Sequence, residues 1–517
     1  MTAPLLAPGY LLLRDAVSTP RSYLTDAALG LSQAAPRALP QDFFVAVTSQ
    51  VVDGGVVVKI LLVAGLWLAS WGAARLVADV LDAGLPGQFL AATLAGWNPY
   101  IAERLLQGHW SLLVGYGCLP WVAVAVLRLR AGSGPWWPLV FWITLAGLTP
   151  TGLMLAAVVA LVCVAAPGTG WTRFRVAGLS AALSCLAALP WLVAAVVGGA
   201  VVSSAADGVP AFAARAEPGL GTLVSLAGLG GIWNGDAVPT SRSGHFAVVA
   251  TVVLLGVIAA GLPVVARRPA AVPLLVLAGV AIVLPALTAT GPGMAFVESL
   301  IRAVPGLGVL RDGQKWVALA MPGYALAAAA APELLRRLRV PATASAAVGC
   351  AALIAVLPDL AWGVGGQVRA VRYPESWATV AAAINADPRP VAVLPPDSMR
   401  EFPWAGSAPV LDPLPRWVRA EVLSTGDLNI GGQTIPGEGV HARHVQDLLL
   451  TGASPSRLAD AGVGWVVRET STGLTAEHIG GSGVSSPHRG LLIGAHLVWL
   501  GLLVVGAGFS LAGVRRK

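Results

Sequence analysis

The residues of this chain best suited to chemistry are four carboxylates, Asp15, Asp42, Glu103 and Asp312, and the cations Arg104, Arg311 and Lys315. The stretch 97–110, WNPYIAERLLQGHW, sets Asn98, Glu103, Arg104, Gln107, His109 and Trp110 between two strongly apolar segments. A charge at the centre of a bilayer costs at least ~2.5 kcal/mol on insertion scales, so such a cluster sits at the interface or lines a functional cavity; we read it as both. A sugar hydroxyl attacking an activated anomeric carbon needs a carboxylate within hydrogen-bond reach to take its proton. It also needs cations or a metal to stabilise the phosphate that leaves. These residue types supply both. A plainer reading stands beside this one: Glu103 with Arg104 and Asp312 with Arg311 pair locally, and interfacial arginines snorkel to headgroups.

Whatever positions these side chains is mostly hydrocarbon. Of 517 residues 56% are hydrophobic and 11% charged, with a mean hydropathy of +0.74, whereas a soluble domain carries about 25% charged residues. The chain is therefore a polytopic α-helical membrane protein. Apolar runs lie at roughly 56–80, 87–98, 109–127, 136–149, 150–167, 174–199, 245–266, 270–290, 315–334, 340–361 and 489–512, which predicts about eleven or twelve transmembrane helices. Cys118, Cys163, Cys185 and Cys350 fall inside apolar runs at irregular spacing, a pattern of neither disulfides nor zinc. The net charge of +7 comes from short basic clusters beside the spans. That is a topology signal and points to the bilayer, with no nucleic acid as partner.

Placing Arg128 and Arg130, Arg173 and Arg175, Arg267 and Arg268, Arg336, Arg337 and Arg339, and the basic tail 515–517 in the cytoplasm gives one consistent alternation. Loop 14–55, the stretch 97–110, loops 200–244 and 291–314 and the segment 363–487 then face outward. The outer side holds Arg14, Arg21, Arg37, Arg104, Arg311 and Lys315, cations suited to an anionic ligand such as a lipid phosphate. Residues 1–13 are apolar but short of the ~20 needed for a span; we read them as half of a first helix or a segment dipping into the interface. The glycine-rich loop 200–244 reads either as a mobile lid or as a lipid-facing loop, with Trp233, Asn234 and Asp236 as its candidate sugar contacts. The organisation expected is a membrane core over 1–362, a small extracytoplasmic α/β domain over 363–487, and a last helix with a basic tail over 488–517. Within the α/β domain, a helix around 377–384 and strands at 391–394 and 464–467 carry the prediction. No glycine-rich phosphate loop and no GxSxG elbow mark that domain as a separate enzyme.

The strings APRALPQD, WNPYIAERLLQGHWSLLVGYGCLPW and VPGLGVLRDGQKW, together with the uneven helices and the outer α/β domain, resemble the GT-C superfamily of membrane glycosyltransferases. More narrowly they are similar to actinobacterial arabinofuranosyl- and mannosyltransferases of the cell envelope. The resemblance implies a multi-pass plasma-membrane enzyme that transfers a sugar from a polyprenyl-phosphate donor to a glycan or glycolipid acceptor outside the cytoplasm, with inversion. It implies Asp15 as the base, because that residue follows the first helix in the family, with Asp42 second. Arg104, Arg311 and Lys315 become partners of the donor phosphate. Asn98, Glu103, His109, Trp233 and Asp312 become candidate substrate contacts. No cofactor is fixed by the residues, and a divalent metal is left open. Two other classes compete: a transporter or lipid flippase, which needs ionisable groups near the bilayer midplane and internal repeats, and a non-catalytic scaffold of envelope biogenesis.

Overall fold

The computed structural model describes every residue except 33–37, 198–205, 305, 338, 397, 431–432, 438, 484–485 and 515–517. Arg37 and the basic tail therefore lie outside the described residues.

The apolar runs fold as helices because a segment in hydrocarbon must satisfy its backbone N–H and C=O groups internally. In chain order these are α1 (Gly54–Leu81), α2 (Leu85–Gly96), α3 (Pro99–Leu106), α4 (Trp110–Ala131), α5 (Trp137–Ala146), α6 (Pro150–Cys163), α7 (Arg173–Val197), α8 (Phe246–Val265), α9 (Val272–Thr288), α10 (Gly291–Ala303), α11 (Met321–Arg337) and α12 (Ala342–Ala355). A helix of the α/β region, α13 (Glu375–Ala386), and the last apolar helix, α14 (Arg489–Val514), complete the series used here. Among the described residues, six are long and apolar enough to cross a membrane: α1, α4, α7, α8, α11 with the turn before it, and α14. Two pairs bent by 92° and 80°, α9 with α10 and α12 with Pro358–Gly366, raise the number to eight if each pair is one span. The difference from eleven or twelve arises where runs close early. α2, α5 and α6 have 12, 10 and 14 residues, and α10 occupies what the sequence reads as a loop.

Helices approach closely where side chains are absent. A Cβ on Gly117 of α4 would lie 2.2 Å from the Gly65 carbonyl oxygen of α1, and one on Gly261 of α8 would lie 1.8 Å from the Ala327 oxygen of α11. Without a hydrophobic force between helices in lipid, such contact is a main source of cohesion.

The N-terminal segment is a correction. Residues 1–13 form a short 3-10 turn and a strand, β1 (Tyr10–Leu13), rather than part of a helix. β1 pairs antiparallel with β2 (Ala16–Val17) and with β3 (Ala370–Val371), in the registers Leu13↔Ala16 and Tyr10↔Val371. Its Leu12 and the Val17 of β2 pack into one core with Trp377, Val393 and Val467, so the α/β region expected over 363–487 draws in the start of the chain. That region holds a four-stranded sheet. β4 (Val391–Leu394) runs parallel to β5 (Val422–Leu423) and to β6 (Trp465–Glu469), which pairs antiparallel with β7 (Leu474–His478). The helix α13 and the strands β4 and β6 stand where the sequence pattern sets them.

The described part of loop 200–244 is pinned rather than loose. Arg242 and Glu217 form a buried bidentate pair, Arg242 Nη2 also donates to Thr251 on α8 at 3.0 Å, and the Tyr324 hydroxyl donates to the Ala227 oxygen at 2.9 Å.

Candidate active site

The site grows from α3. Asn98 caps this helix, its side-chain oxygen accepting from Ile101 N at 3.1 Å, and all eight residues Pro99–Leu106 are buried. A turn at Gln107–Gly108 then redirects the chain into α4. Gly108 has φ +83°, and a Cβ there would lie 2.3 Å from both the Leu13 oxygen and the Ala16 nitrogen. Only a glycine lets the β1–β2 hairpin seat against this turn. The hairpin tip is Arg14–Asp15. Arg14 adopts a left-handed backbone at φ +49°, a conformation costing of order 1–3 kcal/mol that persists where surroundings over-determine it. Here they do: its guanidinium donates to the Leu106 and Asp236 oxygens at 2.7 and 2.6 Å, and its backbone N donates to the Pro409 oxygen at 2.9 Å. Asp15 is thereby projected from a rigid tip, with its own N–H bonded to the Gln107 oxygen at 3.2 Å.

A continuous polar chain reaches Asp15 from the interior. Arg104, with its side chain at 0% exposure, grips Asp312 through Nη1 to Oδ2 at 2.7 Å and Nη2 to Oδ1 at 3.0 Å, and it also donates to Gln314. Its Nη1 lies 3.0 Å from His109 Nδ1, and His109 Nε2 lies 2.9 Å from Asp15 Oδ2. A guanidinium can only donate, so His109 Nδ1 accepts and its proton sits on Nε2, where it donates to Asp15. Gln107 Nε2 donates to the same Oδ2 at 3.0 Å, and Gln107 is oriented in turn by Asn234 at 2.8 Å. The Asp15 side chain remains 42% exposed.

The charges agree with this geometry. Burial and the Arg104 charge outweigh Asp15 and hold His109 below its usual value, so the imidazole is neutral. Crowding by protein pushes Asp15 upward, yet the hydrogen bonds from His109 and Gln107 and the charge of Lys315 outweigh it and keep the carboxylate ionised below its ordinary range. Burial likewise opposes Asp312, but Arg104 and Lys315 hold it at about 2. Lys315 Nζ is 3.8 Å from Asp312 Oδ2, and its backbone oxygen accepts from the Tyr100 hydroxyl at 3.1 Å. Among the described residues no three His, Cys, Asp or Glu side chains gather to hold a metal ion.

Asp15, Arg104, His109, Asp312 and Lys315 thus converge as one group. Others of the sequence-derived set lie elsewhere or serve the framework. Asn98 is fully buried, its amide donating to the Leu94 and Ala95 oxygens and to Tyr116; nothing is left for a substrate. Glu103, also at 0% exposure, accepts from Gly231 N, Ile232 N and Gln314, clipping the 231–232 turn to α3. Arg104 is sealed behind His109 and has no access to a donor phosphate. Arg311 lies over the Phe212 ring at 4.9 Å, and Phe212 meets Trp233 edge-on at 4.6 Å. Asp42 pairs with Arg416 at 3.2 Å in a separate cavity. The expectation that Asp15 follows a first helix is also overturned, since it follows a strand. Asn234, read from the sequence as a sugar contact, instead orients Gln107; sequence reading counted Gln107 only among the polar groups of 97–110 and gave Gln314 no role, since neutral amides carry no charge signal.

No protein-family model matches the chain, and no curated protein matches it. Solved structures do. The cryo-EM structure of the arabinofuranosyltransferase AftD from mycobacteria is similar over 88% of this chain and 34% of that one, with a TM-score of 0.58 and 19% identity. A mutant of the same enzyme, in one of its structural classes, is similar over 90% of this chain and 36% of that one, with a TM-score of 0.55 and 17% identity. The chain spans about a third of the length of these structures. Its fold is accordingly similar to that of part of this membrane arabinofuranosyltransferase.

Proposed function

We propose that this chain is an integral membrane glycosyltransferase that moves a sugar from a polyprenyl-phosphate donor to an envelope glycan or glycolipid on the extracytoplasmic face. The observation that carries the reading is Asp15: a half-exposed carboxylate on a strained, rigid tip, kept ionised by a neutral histidine and an amide and by the charge of Lys315, which lies 3.8 Å from Asp312. An acceptor hydroxyl bonded to Asp15 attacks the anomeric carbon and gives its proton to the carboxylate. The bond from that carbon to the phosphate oxygen breaks as the new one forms, which inverts the configuration. Lys315 stabilises the departing phosphate. Arg104 and Asp312 act one step back, fixing the tautomer and angle of His109 and so the position of the base. Trp233, edge-on to Phe212 and followed by Asn234, gives the sugar an aromatic wall, and Arg311 supplies a cation at its far side.

Transfer from radiolabelled polyprenyl-phosphate arabinose or mannose, measured in membranes, tests this. Asp15→Asn is expected to lower turnover by about 10²–10⁴-fold, the usual weight of a general base, with unchanged protein level and melting. Transfer that survives Asp15→Asn, or is absent from the wild type with either donor, returns the transporter and scaffold readings.

A further inference from the structure

A polar cavity lies away from Asp15. It has a volume of about 210 Å³ and is walled by residues of the first outer segment, including Ser22, Thr25 and Asp42, and by Ser398, Ser424 and Arg416 of the α/β region. Pockets for drug-sized ligands run to about 300–1,000 Å³, so this one suits a single ring and is too small for a prenyl chain.

Its charges are cancelled in place. Arg416 is held by Asp42 at 3.2 Å, and Arg400, also in the wall, faces Asp412 at 3.5 Å and Glu469 at 2.8 Å. Burial and the neighbouring Asp412 push Glu469 up to about 9, so it is uncharged at neutral pH and the second cluster is also balanced. Each guanidinium therefore presents donors, and each carboxylate acceptors, without a net field to attract an anion. Ser398 and Ser424 hydroxyls, 3.1 Å apart, add groups that both donate and accept. Leu39, Leu411 and Leu423 provide apolar wall between them. Paired donors and acceptors around a partly apolar wall match a ring bearing hydroxyls on its edge and C–H groups on its face. The cavity is also coupled to the proposed base. Leu411 in its wall donates its backbone N–H to the Arg14 oxygen at 2.8 Å, next to Asp15.

We propose that this cavity seats one neutral sugar ring of the acceptor glycan, holding it while a neighbouring hydroxyl meets Asp15. The proposal rests on the transferase reading, and the test separates the two. Full-length protein in nanodiscs is titrated with short neutral arabinofuranosyl and mannosyl oligosaccharides, followed by saturation-transfer NMR, without donor. Wild type is expected to bind. Ser424→Trp, which fills the cavity from its exposed rim, and Asp42→Asn, which unbalances Arg416, are each expected to weaken binding by about tenfold or more. Inorganic phosphate is expected not to displace the sugar. Absence of wild-type binding, unchanged binding in both cavity variants, or displacement by phosphate overturns the site. If Asp15→Asn stops transfer while Ser424→Trp binds sugar normally, the transferase stands and this site falls. If Ser424→Trp loses binding but no form transfers sugar, the site stands and the transferase falls.

Discussion

Two buried arginine–carboxylate pairs are almost the same in local geometry and opposite in consequence. Arg104–Asp312 and Arg242–Glu217 are both bidentate and both sealed from solvent. Arg242 spends its remaining donor on Thr251 and the Ala247 oxygen, so its network ends in the framework and ties loop 200–244 to α8. Arg104 spends its own on Gln314 and on His109, and through His109 the network surfaces at a half-exposed carboxylate. A buried ion pair is thus no sign of function by itself; what distinguishes a site is a polar chain that ends in a titratable group facing the outside.

The sharpest way to break that comparison is to remove each arginine. Arg242→Met leaves the buried Glu217 unpaired and Arg104→Met leaves the buried Asp312 with only Lys315 at 3.8 Å; each is expected to cost about 3–5 kcal/mol in stability, read as loss of melting temperature in detergent. Per folded molecule, Arg242→Met is expected to transfer sugar normally, whereas Arg104→Met loses it. Equal activity in the two would show that the relay through His109 does nothing. Next comes the seat of the hairpin. Gly108→Ala forces the β1–β2 tip away and moves Asp15, and a displacement near 1 Å costs about 10²-fold in turnover, measured with the membrane fold intact by limited proteolysis. The smallest effect belongs to the last link. His109→Ala removes one hydrogen bond to a charged group, ~1.5 kcal/mol, or about tenfold in rate.

The pH profile sharpens the same point. In the proposed reaction the Asp15 carboxylate accepts a proton only when ionised, so activity is expected to be full above its lowered pKa and lost as pH falls through it. In His109→Ala the group loses a bond that favours its charged form, and the acid limb of the rate profile is expected to move to higher pH. A limb that stays in place would disconnect His109 from Asp15.

The parts of this molecule that were legible in the sequence are those governed by short-range patterns. Apolar runs such as 56–80 and 245–266 became α1 and α8 within two residues at each end, because a segment in lipid has no alternative to its own hydrogen bonds. The helix–strand unit α13–β4 followed from its own periodicity. Asp15, His109, Arg104, Asp312 and Lys315 stood out because charge is rare in an apolar chain, and the structure brings all five together. What could not be read was set by distant partners. Tyr10–Leu13 is an apolar run of four whose identity as a strand depends on Ala370–Val371, far along the chain. Asn98 and Glu103 belong to the same polar string as Arg104, yet their neighbours turn them into a cap and a clip. Nothing in one-dimensional spacing separates a side chain that faces a loop backbone from one that faces a cleft.

The pairing of β1 with β3 also orders the life of the protein in time. Asp15 is made long before residue 371, and its hairpin has no β3 to join until that residue has been synthesised; Arg14 gains its bonds to Pro409 and Leu411 later still. Long-range strand pairing is intrinsically slow to form. Most of the helices precede residue 371, so a nascent chain stalled before it would hold its helices while the Asp15 tip still lacked its sheet.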